Sequence, residues 1–473
     1  MLLSKLLEDI TVLNSYEDRE ITDVTDKTGN VKDGCAFVCI TGARFDGHSV
    51  AENMLKQGAR AVIVTRDLGL KEQIIVENSR EAYALMCKNL FGRSADKLKI
   101  IGITGTNGKT TTAFVIKDIL KELGVQSGLI GTVKNMVGDK DFHTELTTPD
   151  PYDMHALFKM MVDEGIEYCV METSSQAFHQ MRLAGIHFVV GAFTNLTQDH
   201  LDYHGTLDEY KKCKKNLFLN CDKAIFNNDD EASSFMREGI VAPATDYSIN
   251  KKSDYKAENV ELFSDRVEYN LNGQKVVFHI PGGFSVYNSL TAISVVNNLG
   301  FDLEKVINAA FYAKSVSGRV EVLKTNTDFS VIIDYAHSPD GLEKAINAVR
   351  GFTKGRVITL FGCGGDRDKT KRPKMGRIAA ELSDVVVVTS DNPRTEDPEE
   401  IIKDILEGID AENKEIITIT DRSEAIKKAI SIAEKDDAIL LAGKGHETYQ
   451  VIGKERVHYD EREVVAKVLE GGF

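Results

Sequence analysis

The sequence predicts an α/β protein of three successive domains, and three observations carry that prediction. The chain has 473 residues, several times the roughly 100–150 residues over which one hydrophobic core is usually built. Apolar runs of buried-strand length alternate with segments whose apolar residues recur at helical spacing. Polar, glycine-bearing clusters follow many of those runs, at the strand ends where open parallel sheets bind ligands.

Composition narrows the classes. With 42% hydrophobic and 28% charged residues the chain reads as an ordinary globular protein. A net charge of −15 opposes nucleic-acid binding, which calls for a basic face. Seven cysteines without C-x-x-C spacing fit a reducing, cytoplasmic setting. Charges interrupt the apolar run of Met1–Ile10, which predicts an amphipathic helix and not a signal peptide. No stretch approaches the ~18 apolar residues of a membrane span.

Residues 1–97 read as the first α/β unit. Ala36–Ile40 and Ala61–Val64 are short apolar strands, and Ala51–Gly58 between them fits a helix. The polar loop Thr41–His48 serves equally as a ligand loop or a surface connection.

Residues 98–318 open on Ile100–Thr112, I-I-G-I-T-G-T-N-G-K-T-T-T. An apolar strand enters a loop of Gly105, Thr106, Asn107 and Gly108, and Lys109, Thr110 and Thr111 open a helix. The backbone N–H groups of such a loop cradle phosphates, the Lys reaches the β/γ-phosphates, and the Thr hydroxyl can ligand Mg²⁺. The strict G-x-x-x-x-G-K-T form is not met, because Gly102 lies one residue too far upstream. Val115, Ile119, Leu120 and Leu123 then recur as a buried crossover helix requires. Two further runs, Ile166–Met171 and His187–Thr194, resemble buried parallel strands ending in the clusters Glu172–Gln176 and Asn195–Asp202. On chemistry alone Thr110, Glu172 and His200 suit a divalent cation beside a triphosphate, with a loop or helix-cap role open for His200. Lys214, with Lys211, Lys212 and Lys215 in the helix-like stretch Glu209–Leu219, reads as part of a solvated basic face. Val260–His279 switches to period two around Asn272-Gly273, a β-hairpin appended to a parallel domain.

Residues 319–473 form the third unit. Strands are predicted at Ser330–Ile333, Val357–Phe361, Val385–Thr389, Ile416–Thr420 and Ala438–Leu441, with a helix at Ser423–Ile432. Polar clusters follow three of them: Asp334–Asp340, Gly362–Asp368 and Gly443–Glu447. Arg367, Arg372 and Arg394 fall in such loops, where they can fork onto an anionic substrate or form surface ion pairs.

The run T-G-T-N-G-K-T-T-T, Thr147-Thr148-Pro149, Met171-Glu-Thr-Ser-Ser175, Asn195–Gly205, Asp334-Tyr-Ala-His337, G-C-G-G-D-R-D-K-T-K-R-P, Asp391-Asn-Pro-Arg394 and Gly443-Lys-Gly-His-Glu447 together resemble the Mur ligases, in order and over essentially the whole chain. The last two motifs resemble its tripeptide-synthesising branch. The resemblance implies an N-terminal domain for the UDP end of the substrate, a central P-loop-type parallel-sheet ATPase domain with the antiparallel appendage, and a C-terminal Rossmann-like domain for the incoming amino acid. It implies a cytoplasmic, monomeric enzyme of peptidoglycan synthesis that uses ATP and Mg²⁺. That enzyme adds meso-diaminopimelate to the D-Glu γ-carboxylate of UDP-MurNAc-L-Ala-D-Glu through an acyl-phosphate. Lysine-adding relatives, folylpolyglutamate-type ligases and a catalytically silent nucleotide-binding scaffold are the rivals.

Position by position, the resemblance implies that Lys109 holds the ATP phosphates, that Thr110 and Glu172 hold one Mg²⁺, and that Glu172, His200 and a carbamylated Lys214 hold a second. Asn288, Arg319, Asp334 and His337 match ATP-binding positions. Thr28, Thr147, Thr148, Ser174 and Arg182 match positions for the muramoyl-peptide. Arg367, Asp391, Asn392, Pro393, Arg394, Gly443 and Glu447 match the amino-acid pocket. The arginines suit a second carboxylate that diaminopimelate has and lysine lacks. Two departures from the family pattern are Lys27-Thr28-Gly29 for D-S-R, and Gln176 for the His of E-x-S-S-H, which keeps hydrogen bonding but not titration.

Overall fold

The computed structural model describes residues 1–473 except 43–44, 198–200, 411–414 and 472–473, and leaves the side chains of Leu201 and Asp202 undescribed. The chain forms two compact units, one of residues 1–256 and 290–306, the other of residues 257–289 and 307–473.

The first unit holds two sheets, one wholly parallel and a larger one parallel except at an edge. Val24–Thr25, Ala36–Val38, Ala61–Val64 and Gln73–Ile75 pair in sequence order, all parallel. Alternate strand residues feed apolar clusters on both faces, Ala36, Val38 and Ile63 on one and Phe37, Val62 and Val64 on the other. The predicted first helix is a single turn, Leu3–Leu6. Tertiary pairing overrides the amphipathic pattern: the Met1 ammonium donates to Ile21 O at 2.9 Å and Leu3 N to Arg19 O at 2.8 Å, and Asp9 turns to a positive φ of 65°.

In the larger sheet the central strand Lys99–Thr104 lies between Val190–Phe193 and Tyr168–Glu172. Ala224–Asn227, Ala244–Ser248 and the start of Tyr255–Leu262 extend the parallel run on one side, and Ser127–Ile130 on the other. The short antiparallel strands Asn135–Val137 and Lys140–Phe142 finish that second edge. The registers Ile103↔Glu172, Phe193↔Thr104 and Ile130↔Met171 bring the carboxyl ends of these strands to one edge, which is what gathers the predicted polar clusters.

In the second unit the chain from Ala257 forms an antiparallel meander with Val267–Leu271 and Gln274–Phe278. Asn272 (φ 49°) and Gly273 (φ 79°) make the expected two-residue turn between the last two strands. Val260 belongs to the preceding strand, whose ladder is broken between Glu258 and Glu261, where Asn259 takes a φ of 52°. A six-stranded sheet follows in the order Glu321–Val322, Ser330–Asp334, Ala438–Ala442, Val357–Phe361, Val385–Val388, Glu415–Thr418, parallel but for the first. Helices Pro339–Arg350, Lys371–Leu382 and Pro398–Leu406 pack their buried residues on one face, and Arg422–Ile432 and Glu461–Leu469 on the other. The registers Asp334↔Ala442, Phe361↔Ala442 and Phe361↔Val388 again align the carboxyl ends.

Candidate active site

In the first unit the polar edge begins at Gly105. The helix Lys109–Glu122 starts after Gly108, which sits in the left-handed region at φ 83°, a conformation that costs little only without a Cβ. Neighbouring strand ends pin the loop. Asn195 Oδ1 accepts from Asn107 N at 2.9 Å, Thr106 N donates to Asn195 O at 2.8 Å, and the Thr194 hydroxyl donates to Asn107 O at 2.7 Å. Lys109 curls back so that Nζ donates to Gly105 O and Thr106 O, both at 2.9 Å, which keeps its charge over the loop. Thr110 and Thr111 follow in the first helical turn, both buried.

Glu172 ends its strand with its side chain fully buried. The Thr110 hydroxyl donates to its Oε2 at 2.9 Å, the Thr132 hydroxyl to the same oxygen at 3.1 Å, and Thr132 N to Oε1 at 2.8 Å. Thr132 escaped the sequence reading, although it lies just past the strand Ser127–Ile130 and hence on the same edge.

Lys214 is buried, not solvated. Its Nζ donates to Gly105 O at 2.8 Å and lies 4.4 Å from the centre of the Tyr210 ring, whose hydroxyl is 3.3 Å from that of Thr106. Lys211 and Lys212 pair instead with Asp208 and Glu209 on the outside of the helix Leu207–Leu219. Lys109, Thr110, Glu172 and Lys214 therefore converge on one loop, while His200 lies outside the described residues. Adjacent hard oxygens of Thr110 and Glu172 fit Mg²⁺. Among the described residues no group of three or more His, Cys, Asp and Glu side chains forms a metal cage of its own.

Thr147, Thr148, Ser174 and Arg182 also sit at this edge. The Thr148 hydroxyl donates to Glu172 O at 2.7 Å and accepts from Ser174 N at 3.0 Å, and Arg182 Nη1 donates to Thr148 O at 2.6 Å. Thr147 Oγ1 is 3.1 Å from Thr132 Oγ1. Thr28 stands apart on an exposed one-turn segment, Thr28–Asn30, although its neighbour Lys27 and Arg182 both approach Asp150 at 3.8 Å. Gln176 accepts from the Ser175 hydroxyl at 3.2 Å.

The second unit carries a polar edge of its own. Asp334 Oδ2 accepts from Val320 N at 2.8 Å and Oδ1 from Ala336 N at 2.9 Å, while burial pushes the carboxyl above the usual range against the pull of Arg319. The Arg319 guanidinium lies 5.2 Å from the Tyr335 ring centre, and its Nε is buried without a hydrogen-bond partner. His337 and His446 also contact that ring, at 4.7 and 4.9 Å between centres, and burial pushes both imidazoles below their ordinary value. Gly445 permits this approach, because a Cβ there would meet Tyr335 Cβ at 2.6 Å. Asn288 is buried in the helix Gly283–Asn298.

A Cβ on Gly364 would meet Arg394 Nη1 at 2.9 Å, the Arg367 stem at Cγ at 3.8 Å and the backbone oxygen of Asn392 at 3.9 Å. Arg394 Nη1 donates to Gly365 O at 2.8 Å, and Arg367 is exposed. Asn392 Nδ2 donates to Glu447 Oε2 at 2.9 Å. Pro393 and Gly443 are buried beside them, and Asp391 Oδ2 is buried with no partner. Arg372 is neither a substrate contact nor a surface pair. It lies inside the helix Lys371–Leu382 with its fork on Glu396 (2.9 and 3.0 Å) and Asp404 (2.8 Å), a buried brace under the loop. Lys444 is likewise buried and was not singled out from sequence.

Comparison with known proteins adds three domain matches: the Mur ligase family, catalytic domain at residues 20–87; the Mur ligase middle domain at 103–296; and the Mur ligase, glutamate ligase domain at 318–445. The chain is 44% identical to the UDP-N-acetylmuramoyl-L-alanyl-D-glutamate–2,6-diaminopimelate ligase of Clostridium perfringens, over 100% of both chains. It superposes on a solved structure of an enzyme of that name with a TM-score of 0.74 at 30% identity, covering 95% of each chain. MurF from Acinetobacter baumannii shares the fold, with a TM-score of 0.63 at 18% identity over 99% of this chain and 98% of that one. Among the described residues no helix is long and apolar enough to cross a membrane.

Proposed function

The chain belongs to the Mur ligase family, and from that premise we propose that it joins meso-2,6-diaminopimelate to the D-Glu γ-carboxylate of UDP-MurNAc-L-Ala-D-Glu, converting ATP to ADP and phosphate. The single observation that carries the choice of amino acid is the Gly364 edge, which gathers the Arg394 guanidinium, the stem of the exposed Arg367 and Asn392, itself bonded to Glu447. Two guanidinium forks and one carboxylate complement an amino acid with two carboxylates and a distal ammonium. Lysine would leave one fork unmatched.

The γ-carboxylate attacks the γ-phosphorus of ATP, ADP leaves, and the amino group of diaminopimelate then attacks the acyl carbon and expels phosphate. Two anions have to meet in line, so positioning and charge compensation dominate the barrier. Lys109 and the N–H groups of Gly105–Thr111 hold the phosphates. Thr110 and Glu172 would hold one Mg²⁺, and Glu172, His200 and Lys214 a second; such cations would supply charge neutralisation for the transferring phosphoryl group. Lys214 takes up CO₂ as the neutral amine, forming an N–C bond and releasing one proton, so that an ammonium becomes an anionic oxygen ligand. Asn288, Arg319, Asp334 and His337 hold the rest of ATP, and Thr28, Thr147, Thr148, Ser174 and Arg182 hold the muramoyl-peptide. Domain limits of 1–97, 98–318 and 319–473 fit this division of labour, and the enzyme works as a cytoplasmic monomer.

Phosphate release with ATP and UDP-MurNAc-L-Ala-D-Glu tests the reading. Diaminopimelate is expected to sustain turnover and L-lysine to fail, and Arg394→Ala to raise the KM for diaminopimelate by roughly tenfold or more. A preference for lysine would overturn the assignment of the amino acid.

A further inference from the structure

Lys444 has no exposed side-chain surface, so it cannot itself touch an amino acid. Its ammonium is nevertheless the hub of the Gly364 edge. Nζ donates to Asn392 Oδ1 at 2.6 Å and to Tyr449 O at 3.0 Å, and lies 3.5 Å from Glu447 Oε2 and 4.0 Å from Asp391 Oδ1. Two segments far apart in sequence, Asp391–Arg394 and the stretch that runs from Gly443 into the strand Tyr449–Ile452, are thereby held on one cation.

The Asn392 carboxamide can face either way on size alone, and the hydrogen bonds decide. Lys444 Nζ and Val451 N (2.9 Å) both donate to its oxygen, so its NH₂ must face Glu447. The same cation offsets the charges of Glu447 and of Asp391, whose second oxygen is buried without a hydrogen bond. Without it, Glu447 and Asp391 each lose a cation within 4.0 Å and Asn392 loses its shorter anchor. Glu447 would then leave its place.

We infer that Lys444 is a positioning residue for amino-acid selection, acting through Asn392 and Glu447; the inference rests on the reading of this edge as the diaminopimelate pocket. The test is Lys444→Met, of similar length and uncharged, with Lys444→Gln, which keeps a donor without the charge. Lys444→Met is expected to raise the KM for diaminopimelate by about tenfold to a hundredfold, the range such supporting contacts command, with the KM values for ATP and for the UDP-dipeptide within about twofold of wild type. Lys444→Gln should fall between. In a double-mutant cycle with Glu447→Gln the two losses should not add, because both act through one carboxylate.

An unchanged KM for diaminopimelate in a folded Lys444→Met, or fully additive losses, would overturn the positioning role. So would a collapse of the melting transition in both Lys444 variants, which would make the residue a folding element. If the wild-type enzyme itself fails to use diaminopimelate, the reading of the pocket falls, and that result is separate from the others.

Discussion

Glu172 illustrates how a single residue is readable from its place in the chain. An apolar run that stops at a carboxylate next to a phosphate loop predicts a ligand at a strand end, and the register Ile103↔Glu172 sets it beside that loop. With Thr110 and Thr132 donating to both oxygens, Glu172→Gln keeps the shape but halves the anionic oxygen that a cation needs. Turnover is expected to fall by about a hundredfold or more while the melting temperature stays near wild type, and unchanged turnover would remove Glu172 from the machinery. Lys214 was harder to read. Four lysines in five positions look like a solvated face, yet Tyr210, Cys213, Lys214 and Leu217 fall at i, i+3, i+4 and i+7, and all four are buried. That spacing was the available signal. Lys214→Ala is expected to lose activity and to regain part of it with short-chain carboxylic acids, which supply the missing oxygen donor; full activity without rescue would exclude the carbamate.

At the scale of elements, the legible parts were those whose pattern and burial agree. The strand Val357–Phe361 of the last sheet falls where the apolar run places it, because a parallel strand covered on both faces is apolar throughout. The strands Asn135–Val137 and Lys140–Phe142 were not predicted, since three residues each are too few to show a period. The N-terminal helix was overpredicted because pairing with Arg19–Ile21 is a long-range choice that local spacing cannot report. The phosphate loop gives the prediction that belongs here. Gly108→Ala places a Cβ at φ 83°, where an L-residue costs about 1–2 kcal/mol, and tilts the first turn of the helix Lys109–Glu122. Denaturant unfolding should report that loss, and an ATP titration should show weaker binding out of proportion to it; equal ATP affinity would mean that the loop tolerates the strain.

One contribution to the stability of the whole molecule against acid lies where a helix joins the layers of the first unit. Helix Pro151–Asp163 packs against Ser79–Leu90 from the N-terminal sheet region, with Phe91 and Tyr152 edge to face at 5.1 Å between ring centres. Within that joint His155 has no exposed surface and neither ring nitrogen has a hydrogen-bond partner; it packs against Phe158 at 5.6 Å. The charged groups that act on it are Lys88, bonded to Gly185 O at 2.8 Å, and Asp96, paired with Lys88 at 2.7 Å. Burial first, and then Lys88, push the imidazole down from 6.5 to about 3, with Asp96 opposing. The folded state thus keeps His155 neutral where the unfolded chain would protonate it. Above the unfolded value near 6.5 both states are neutral and His155 adds no proton-linked penalty; as pH falls from there toward 3 the unfolded state binds the extra proton and stability declines, by on the order of a few kcal/mol at the bottom of the window. Replacing His155 by Phe, which matches the apolar surroundings, should flatten that part of the decline. Denaturant midpoints of the two proteins should differ more at pH 4.5 than at pH 7.5, a gap set by the single proton linked to unfolding. A constant difference across that range would show that the joint opens in acid for reasons other than His155.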